Sequence, residues 1–150
     1  MTDVLTPDQR SRVMGRIRGS NTKPELWVRR GLFALGFRYR LHQRQLPGTP
    51  DLVLPRYRAV IFVNGCFWHG HDCHLYRLPS TRTDFWQSKI EKTRIRDKKN
   101  NARLRELGWR VLIIWECALR GRTRQSPDRV LGSAASWLRS AQAMLEITGK

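Results

Sequence analysis

The segment from Val63 to His74, VNGCFWHGHDCH, restricts the fold more than any other part of this 150-residue chain. Cys66, His71 and Cys73 lie within eight residues and are the side-chain types that structural zinc prefers in closed tetrahedral sites. The remaining cysteine, Cys117, comes just after the apolar run RVLIIW. The set predicts a zinc site that ties this loop to the end of a strand. Three reduced core cysteines beside incidental histidines are the alternative.

The composition indicates a soluble protein with a polyanionic partner. There are 29 Lys and Arg against 12 Asp and Glu, a formal net charge of +17 that is costly in a compact domain unless a polyanion offsets it. Nucleic acid is the natural candidate. No apolar run approaches the ~20 residues of a membrane-spanning helix, MTDVLTPDQR lacks a signal-peptide core, and three cysteines do not suit a disulfide framework. A reducing, cytoplasmic location is expected.

Capping signals and hydrophobic periodicity predict an α/β domain with a mixed sheet flanked by helices. A helix capped by Thr22 ends at Gly36, and a long charged helix over 83–107 ends at Gly108. Strands are predicted in residues 37–42, 51–55, 58–63 and 110–116. A last helix opens at Ser126 and carries one apolar stripe, formed by Val130, Leu131, Ala134, Trp137, Leu138, Ala141 and Leu145.

Asp51 is the best-placed acid in the sequence. It follows a proline turn, LPGTP, and stands at the beginning of the strand-like run LVL. In nuclease cores of the PD-(D/E)xK kind, such an aspartate binds Mg²⁺, and a second acid and a lysine end the next strand. Here the next strand ends in VNG, with neither. The nuclease motif is therefore incomplete in this chain.

Four segments together resemble the very short patch repair mismatch endonucleases of bacteria: LPGTPDLV, VIFVNGCFWHGHDCH, STRTDFWQSKI and LGWRVLIIWECALRGR. The similarity runs in order from about Thr6 to Arg122. It implies a PD-(D/E)xK-like endonuclease core with a structural zinc. It also implies a Mg²⁺-dependent enzyme that nicks one DNA strand beside the T of a T:G mismatch, which arises when 5-methylcytosine is deaminated.

The resemblance assigns roles to individual residues. Asp51 is the side-chain ligand of Mg²⁺, the backbone carbonyl of Val63 is a second ligand, and His69 activates or positions the attacking water. Glu25 reaches the metal-bound waters from the first helix, although Thr22 and Glu25 also have the spacing of a capping box. The zinc ligands are the set found from spacing, Cys66, His71, Cys73 and Cys117.

Two positions depart from the family pattern. Asn64 stands where a second histidine is common, and asparagine orients water but does not take its proton. Thr93 replaces an asparagine that follows Lys89 by four residues, and both positions help the family read the mismatched pair.

Large apolar side chains are the expected mismatch wedge. The resemblance places Phe67, Trp68 and Trp86 in a wedge that enters the duplex, and Met14 and Ile17 in an arm entering from the opposite groove. Phe85 and Trp109 are predicted to be core residues. One domain is expected over 1–150, with a basic DNA-contacting arm at 1–20, a catalytic core at 21–122 and a C-terminal helix at 123–150.

Two other functions remain open from the sequence. One is a restriction-like nuclease acting on intact or modified duplex, and the other is a zinc-stabilised DNA-binding module without catalysis. Retention of Asp51 and His69 argues against the binding module, because binding needs neither. A monomer bound to nucleoid DNA is expected, with mismatch-repair proteins as possible partners.

Overall fold

A five-stranded mixed sheet is the centre of the computed structural model, which describes residues 22–150. Its strands, in both chain and spatial order, are β1 (Arg40–Leu41), β2 (Leu52–Leu54), β3 (Ala59–Asn64), β4 (Arg110–Trp115) and β5 (Met144–Ile147). β1, β2 and β3 pair antiparallel, whereas β3, β4 and β5 are parallel. The predicted α/β class and mixed sheet are confirmed. The arm predicted at 1–20, which carries Met14 and Ile17, lies outside the described residues.

Three helices of the described chain, α1 (Lys23–Ala34), α2 (Thr83–Glu106) and α3 (Pro127–Leu138), begin and end at local signals in the sequence. Thr22 Oγ1 accepts from the Glu25 N–H at 3.3 Å, and Ser126 caps α3 in the same way. Gly108 has φ +90°, the left-handed conformation that ends α2 with paired final carbonyls. Across residues 22–150, no helix is both long and apolar enough to cross a membrane.

The sheet carries apolar side chains on both faces, because successive side chains of a strand point to opposite faces of the sheet. On one face, Ile61 of β3 and Leu112 of β4 pack with α1 and α3. On the other, Val60 and Val111 pack with Leu104 of α2 and with two cysteines of the metal loop, residues 65–74. Each fully buried side chain of this size contributes roughly 1.5–3 kcal/mol. The metal loop is thus part of the second core layer.

The C-terminal region differs from the sequence prediction. α3 ends at Leu138, and Met144–Ile147 form β5 beside β4, so the helix expected through 123–150 is wrong beyond residue 138. Leu145 shares the helical spacing of the α3 stripe, but it pairs with Leu112 in the sheet. Residues 144–147 are a strand because they pair with the edge of β4, and this pairing outweighs the helical spacing of so short a segment. The strand predicted over 37–42 is likewise shorter, limited to Arg40–Leu41.

Candidate functional site

Asp51 stands where β2 begins and β3 ends. The antiparallel register pairs Leu52 with Ile61, which places the residue before β2 beside the last residues of β3. The Val63 N–H donates to Asp51 Oδ2 at 2.7 Å. The two residues expected to bind Mg²⁺ are therefore in direct contact. Ligation by the Val63 carbonyl stays a prediction.

Glu25 brings a second carboxylate to this point from α1. Its side chain is only 1% exposed, accepts a hydrogen bond from Arg29 Nη1 at 3.2 Å, and lies 2.7 Å from His42 Nε2. One ligand atom each of Glu25, His42 and Asp51 lies within 4.8 Å of the others. The Thr22 half of the capping box is present, while the Glu25 carboxylate faces Asp51. This position favours the metal-site role predicted for Glu25.

The environment of Asp51 suits a cation. Burial raises the pKa of Asp51 to about 7, the hydrogen bond from Val63 opposes the rise, and the nearby charge of Glu25 adds to it. Two carboxylates this close repel each other when both are ionised, and a bound cation relieves that repulsion. Their oxygens are the donors that Mg²⁺ prefers. The residues present therefore fit the predicted ion.

His42 belongs to this cluster and was missed by the sequence reasoning. The signal available was a histidine ending the run FRYRLH, nine residues before Asp51. Its relevance depends on the antiparallel pairing of β1 with β2, through which the His42 N–H donates to the Asp51 carbonyl at 3.2 Å. A single terminal histidine does not reveal that pairing.

His69 pairs with Asp97 of α2. Its Nδ1 lies 2.6 Å from Asp97 Oδ2, and both side chains are about one-third exposed or less, at 28% and 31%. Asp97 was not predicted as a site residue. The one signal was an acid within the basic run RIRDKK of α2, which is equally expected of a solvated helix face. An imidazole oriented by a carboxylate is the usual arrangement of a general base.

One cleft of about 840 Å³ connects these groups. Asp51, Asn64 and His69 line it together with Phe67 and Trp68. Asn64 is 8% exposed and ends β3, so it borders the cleft as predicted. The cleft lining also includes the basic residues Lys23, Arg44 and Arg120. A cleft with carboxylates inside and cations around it suits a phosphodiester and a metal ion.

The predicted cluster of Cys66, His71, Cys73 and Cys117 is assembled, with ligand atoms all within 4.8 Å of one another. The three cysteines form no disulfide. Cys66 Sγ and Cys117 Sγ lie 3.5 and 3.6 Å from His71 Nδ1. A tetrahedral zinc, with Zn–S near 2.3 Å and Zn–N near 2.0 Å, sets S and N about 3.5 Å apart. The spacing of the donor atoms thus matches a tetrahedral metal site.

The electrostatics of this cluster also favour a bound cation. Burial raises the pKa of the Cys66 and Cys117 thiols, so their thiolates need a nearby positive charge. Burial lowers the pKa of His71, which favours the neutral imidazole that binds metals. Burial is the main cause of all three pKa shifts, and a bound cation would offset the cost of burying both thiolates.

Residues around the four ligands fix their orientation. The His71 ring stacks on Trp115 with centroids 4.1 Å apart and planes at 10°, and Trp115 Nε1 donates to Glu146 Oε1 of β5 at 2.8 Å. The Gly149 N–H donates to Cys117 Sγ at 3.3 Å. Such contacts orient metal ligands and tune their basicity. The C-terminal segment, through Glu146 and Gly149, therefore contributes to the surroundings of the Cys/His cluster.

Gly70 connects the metal cluster to His69. It has φ +62°, and an added Cβ would lie 2.4 Å from Arg94 Nε. Arg94 of α2 donates from Nε to the Gly70 carbonyl at 2.9 Å. The glycine thus lets the loop contact α2 between His69 and His71, so one turn holds both His69 and the Cys/His cluster in place.

Phe67, Trp68 and Trp86 form a mutual edge-to-face cluster. Their ring centroids lie 5.0, 5.6 and 5.8 Å apart, and each side chain is half-buried. The structure brings the predicted wedge residues together beside the cleft. The core role predicted for Phe85 is wrong, because it is 44% exposed at the start of α2 with Arg82 over its ring. Trp109 is partly buried against the second core layer, as expected.

Lys89 and Thr93 lie one turn apart on α2, next to these aromatics. Lys89 Nζ is 5.5 Å from the Trp86 ring centroid. The Thr93 hydroxyl donates to the Lys89 carbonyl at 3.1 Å, a common local bond of threonine in helices. Their predicted role in reading a base pair remains a prediction. Met14 and Ile17 lie outside the described residues.

Known proteins that are similar to this chain are DNA endonucleases and nicking enzymes. The family described as DNA mismatch endonuclease Vsr matches residues 2–75. The type II nicking enzyme V.XorIIP of Xanthomonas oryzae is 50% identical over 119 residues, covering 79% of this chain and 88% of that protein. The type II nicking enzyme V.NmeAIP of Neisseria meningitidis is 46% identical over 122 residues, covering 81% and 87%.

A third relative covers nearly the whole chain. The DNA mismatch endonuclease Vsr of Escherichia coli is 42% identical over 151 aligned residues, which are 99% of this chain and 97% of that protein. Identity at this level over full length implies the same fold and the same class of reaction. The chain belongs to the Vsr family of DNA mismatch endonucleases.

Proposed function

We propose that this endonuclease uses Mg²⁺ to nick one strand of duplex DNA beside the T of a T:G mismatch. The observation that carries the proposal is the shared cleft, in which Asp51, His69 and the wedge residue Trp68 face one space. A metal ligand, a candidate base and an aromatic wedge in one cleft suit hydrolysis at a disturbed base step. The choice of T:G is implied by the resemblance to very short patch repair enzymes and by the name of the Escherichia coli relative.

Asp51 and the Val63 carbonyl would hold the ion, and Glu25 would reach its bound waters. Bound there, Mg²⁺ supplies Lewis-acid stabilisation of the negative charge that develops on the phosphate oxygens. Arg29 already pairs with Glu25, which keeps that carboxylate in place. Asp51 is held by the Val63 N–H. Both carboxylates are thus oriented by protein contacts before DNA binds.

His69 would take a proton from the attacking water. When Asp97 accepts the hydrogen bond from Nδ1–H, Nε2 is left as the unprotonated ring nitrogen. Asp97 also stabilises the imidazolium that forms after proton transfer. Asn64, buried at the end of β3, has an amide that orients water without taking its proton. More of the proton transfer therefore falls on His69.

The wedge would enter the duplex at the mismatch. Unstacking a base step costs roughly a few kcal/mol, and a mismatch lowers that cost. Cys66 and His71 flank the wedge residues Phe67 and Trp68 in sequence. A zinc ion bound by these two ligands would therefore stiffen the segment that inserts into the duplex. We propose zinc for that site because its donor set is three thiols and one imidazole.

Asp97→Asn is expected to lower the nicking rate by roughly a hundredfold or more, within the usual contribution of general-base catalysis. The amide still accepts from Nδ1–H but does not offset the imidazolium charge. kcat should fall while the KM for DNA and the metal content stay unchanged, and Asp97→Glu should recover part of the rate. Glu106→Gln, on an exposed side chain at the far end of α2, is the control. Unchanged kcat in Asp97→Asn would remove Asp97 from the reaction.

Trp68→Ala is expected to weaken binding to T:G duplex by about 1–3 kcal/mol, the contribution of an aromatic side chain stacked on a base. Binding to the matched duplex should change little, since the wedge has no disturbed step to enter. The measurement is DNA affinity on both duplexes at fixed salt. Phe33→Ala, which removes a 53% exposed aromatic ring on α1, is the matched control. Equal losses on both duplexes would show that Trp68 has only a packing role.

A nicking assay separates this function from the two alternatives. The enzyme is offered T:G, fully matched and cytosine-methylated duplexes, each with and without Mg²⁺. Mg²⁺-dependent cleavage of one strand at T:G alone supports the proposal. Cleavage of matched or methylated DNA indicates a restriction-like enzyme, which the names of the nicking relatives and the residues Asn64 and Thr93 leave open. Binding without cleavage on any duplex indicates a DNA-binding module.

The biological setting proposed for the enzyme follows from the reaction. One nick needs one active site, so the protein is proposed to act as a monomer on DNA of the bacterial nucleoid. Mismatch-repair proteins are the proposed partners that process the nick. Sedimentation on T:G duplex tests the stoichiometry, for which one chain per mismatch is expected.

A further inference from the structure

His42 has a backbone conformation that residues with side chains rarely adopt. It follows the last residue of β1 and has φ +46°, in the left-handed region. Histidine enters this region more readily than most residues, but the conformation still needs surrounding contacts to hold it. Those contacts are present, because the His42 N–H donates to the Asp51 carbonyl at 3.2 Å. The backbone turn that directs His42 is thus fixed by the residue that anchors the metal site.

The His42 ring lies within the group of possible metal ligands. Nε2 is 2.7 Å from Glu25 Oε2, and one ring nitrogen of His42, a Glu25 oxygen and an Asp51 oxygen are all within 4.8 Å of one another. Its side chain is 24% exposed and lines the same cleft as Asp51 and His69. The imidazole therefore lies beside the two carboxylates and still has access to the cleft.

The hydrogen bond to Glu25 alone does not account for this position. Arg29 Nη1 lies 3.2 Å from the same Glu25 oxygen, and its side chain is 17% exposed. Glu25 thus has a permanent cationic partner without His42. A ring nitrogen within 4.8 Å of two carboxylates, at an open cleft, has the composition of a mixed nitrogen and oxygen metal site.

We propose that His42 is a third protein ligand of the cation held by Asp51 and the Val63 carbonyl beside Glu25, and that its nitrogen makes the centre prefer Mn²⁺ to Mg²⁺. The inference rests on the proposed function, which places a divalent cation at Asp51. Imidazole suits transition ions, whereas Mg²⁺ favours oxygen ligands. With His42 included, the protein ligands are one carboxylate, one backbone carbonyl and one imidazole, and the Glu25 carboxylate lies beside them.

The test uses the zinc-loaded, DNA-free protein and needs no turnover. Mn²⁺ is titrated into the parent and into His42→Gln, Asp51→Asn and His74→Gln, with binding followed by continuous-wave EPR. Pulsed EPR then measures nitrogen modulation from a bound imidazole. His74→Gln makes the same exchange at a histidine outside the Glu25–His42–Asp51 group.

The parent and His74→Gln are expected to show one saturable Mn²⁺ site with imidazole nitrogen modulation. His42→Gln should lose the modulation and bind Mn²⁺ at least about tenfold more weakly, the lower end of what a lost metal-site group costs. Its Mg²⁺ affinity, measured by competition, should fall less. Nitrogen modulation that survives in His42→Gln, or its absence in the parent, overturns the inference. A Mn²⁺ site that is insensitive to Asp51→Asn contradicts the proposed function itself.

Discussion

Asp51→Asn is expected to reduce nicking by orders of magnitude while DNA affinity stays within about tenfold of the parent, roughly 1.4 kcal/mol. Asparagine keeps the shape of the side chain and can still accept the hydrogen bond from the Val63 N–H. It removes the charge that anchors the cation beside Glu25. Phosphate contacts come from Lys and Arg, which the change leaves intact, so binding survives or strengthens as repulsion falls.

The measurement is single-turnover nicking of T:G duplex in Mg²⁺, paired with DNA affinity of the same preparation. Asp128→Asn makes the same exchange at an exposed position in the first turn of α3 and is expected to nick at the parent rate. A rate near that of the parent in Asp51→Asn would exclude Asp51 as the metal anchor. A large loss of DNA binding would instead indicate that the change disturbs the sheet edge.

Cys117→Ser is expected to abolish zinc binding and most of the stability of the fold. The free energy of structural zinc binding is about 10–16 kcal/mol in small zinc domains. A whole domain is stabilised by only about 5–15 kcal/mol. Because Cys66 and Cys117 belong to the second core layer, loss of the ion leaves buried thiols without their cation and loosens the sheet face.

Elemental analysis and thermal unfolding check this result together. The parent should contain one zinc per chain and should lose stability when a strong chelator is added. Cys117→Ser should start near the stability of the chelated parent and respond little to chelator, because both lack the ion. Well-folded parent protein without zinc would contradict the assignment, as would a variant that remains chelator-sensitive.

Local sequence signals predicted the helices and strands whose bounds depend on residues nearby in the chain. The Thr22 and Ser126 caps fix where α1 and α3 begin, and the apolar run Arg110–Trp115 is a strand as expected. The metal cluster was also predictable, because three ligands share one loop and Cys117 is the one other cysteine. That prediction depended on the short spacing of the three loop ligands and on the small number of cysteines in the chain. Neither depends on knowing the tertiary structure.

What the sequence did not reveal depends on pairing between distant segments. β5 is selected by the edge of β4, where Trp115 bonds to Glu146, and this contact overrides the helical spacing of Leu145. Asp97 meets His69 across 28 residues, and His42 meets Glu25 across 17. Phe85 is the sequence neighbour of Trp86, yet its side chain is 44% exposed on the surface of α2. A one-dimensional pattern does not encode which of two adjacent aromatics faces inward.

The contact between Gly149 and Cys117 has a consequence for biosynthesis. Gly149 follows Cys117 by 32 residues, and β5 is translated after all four metal ligands. A nascent chain that has just exposed Cys117 has its complete ligand set but lacks the backbone donor on that sulfur and the strand beside β4. A message broken after codon 140 would yield a protein in the same condition. A chain released before β5 therefore has all four candidate metal ligands but lacks the contacts from Glu146 and Gly149 that surround them.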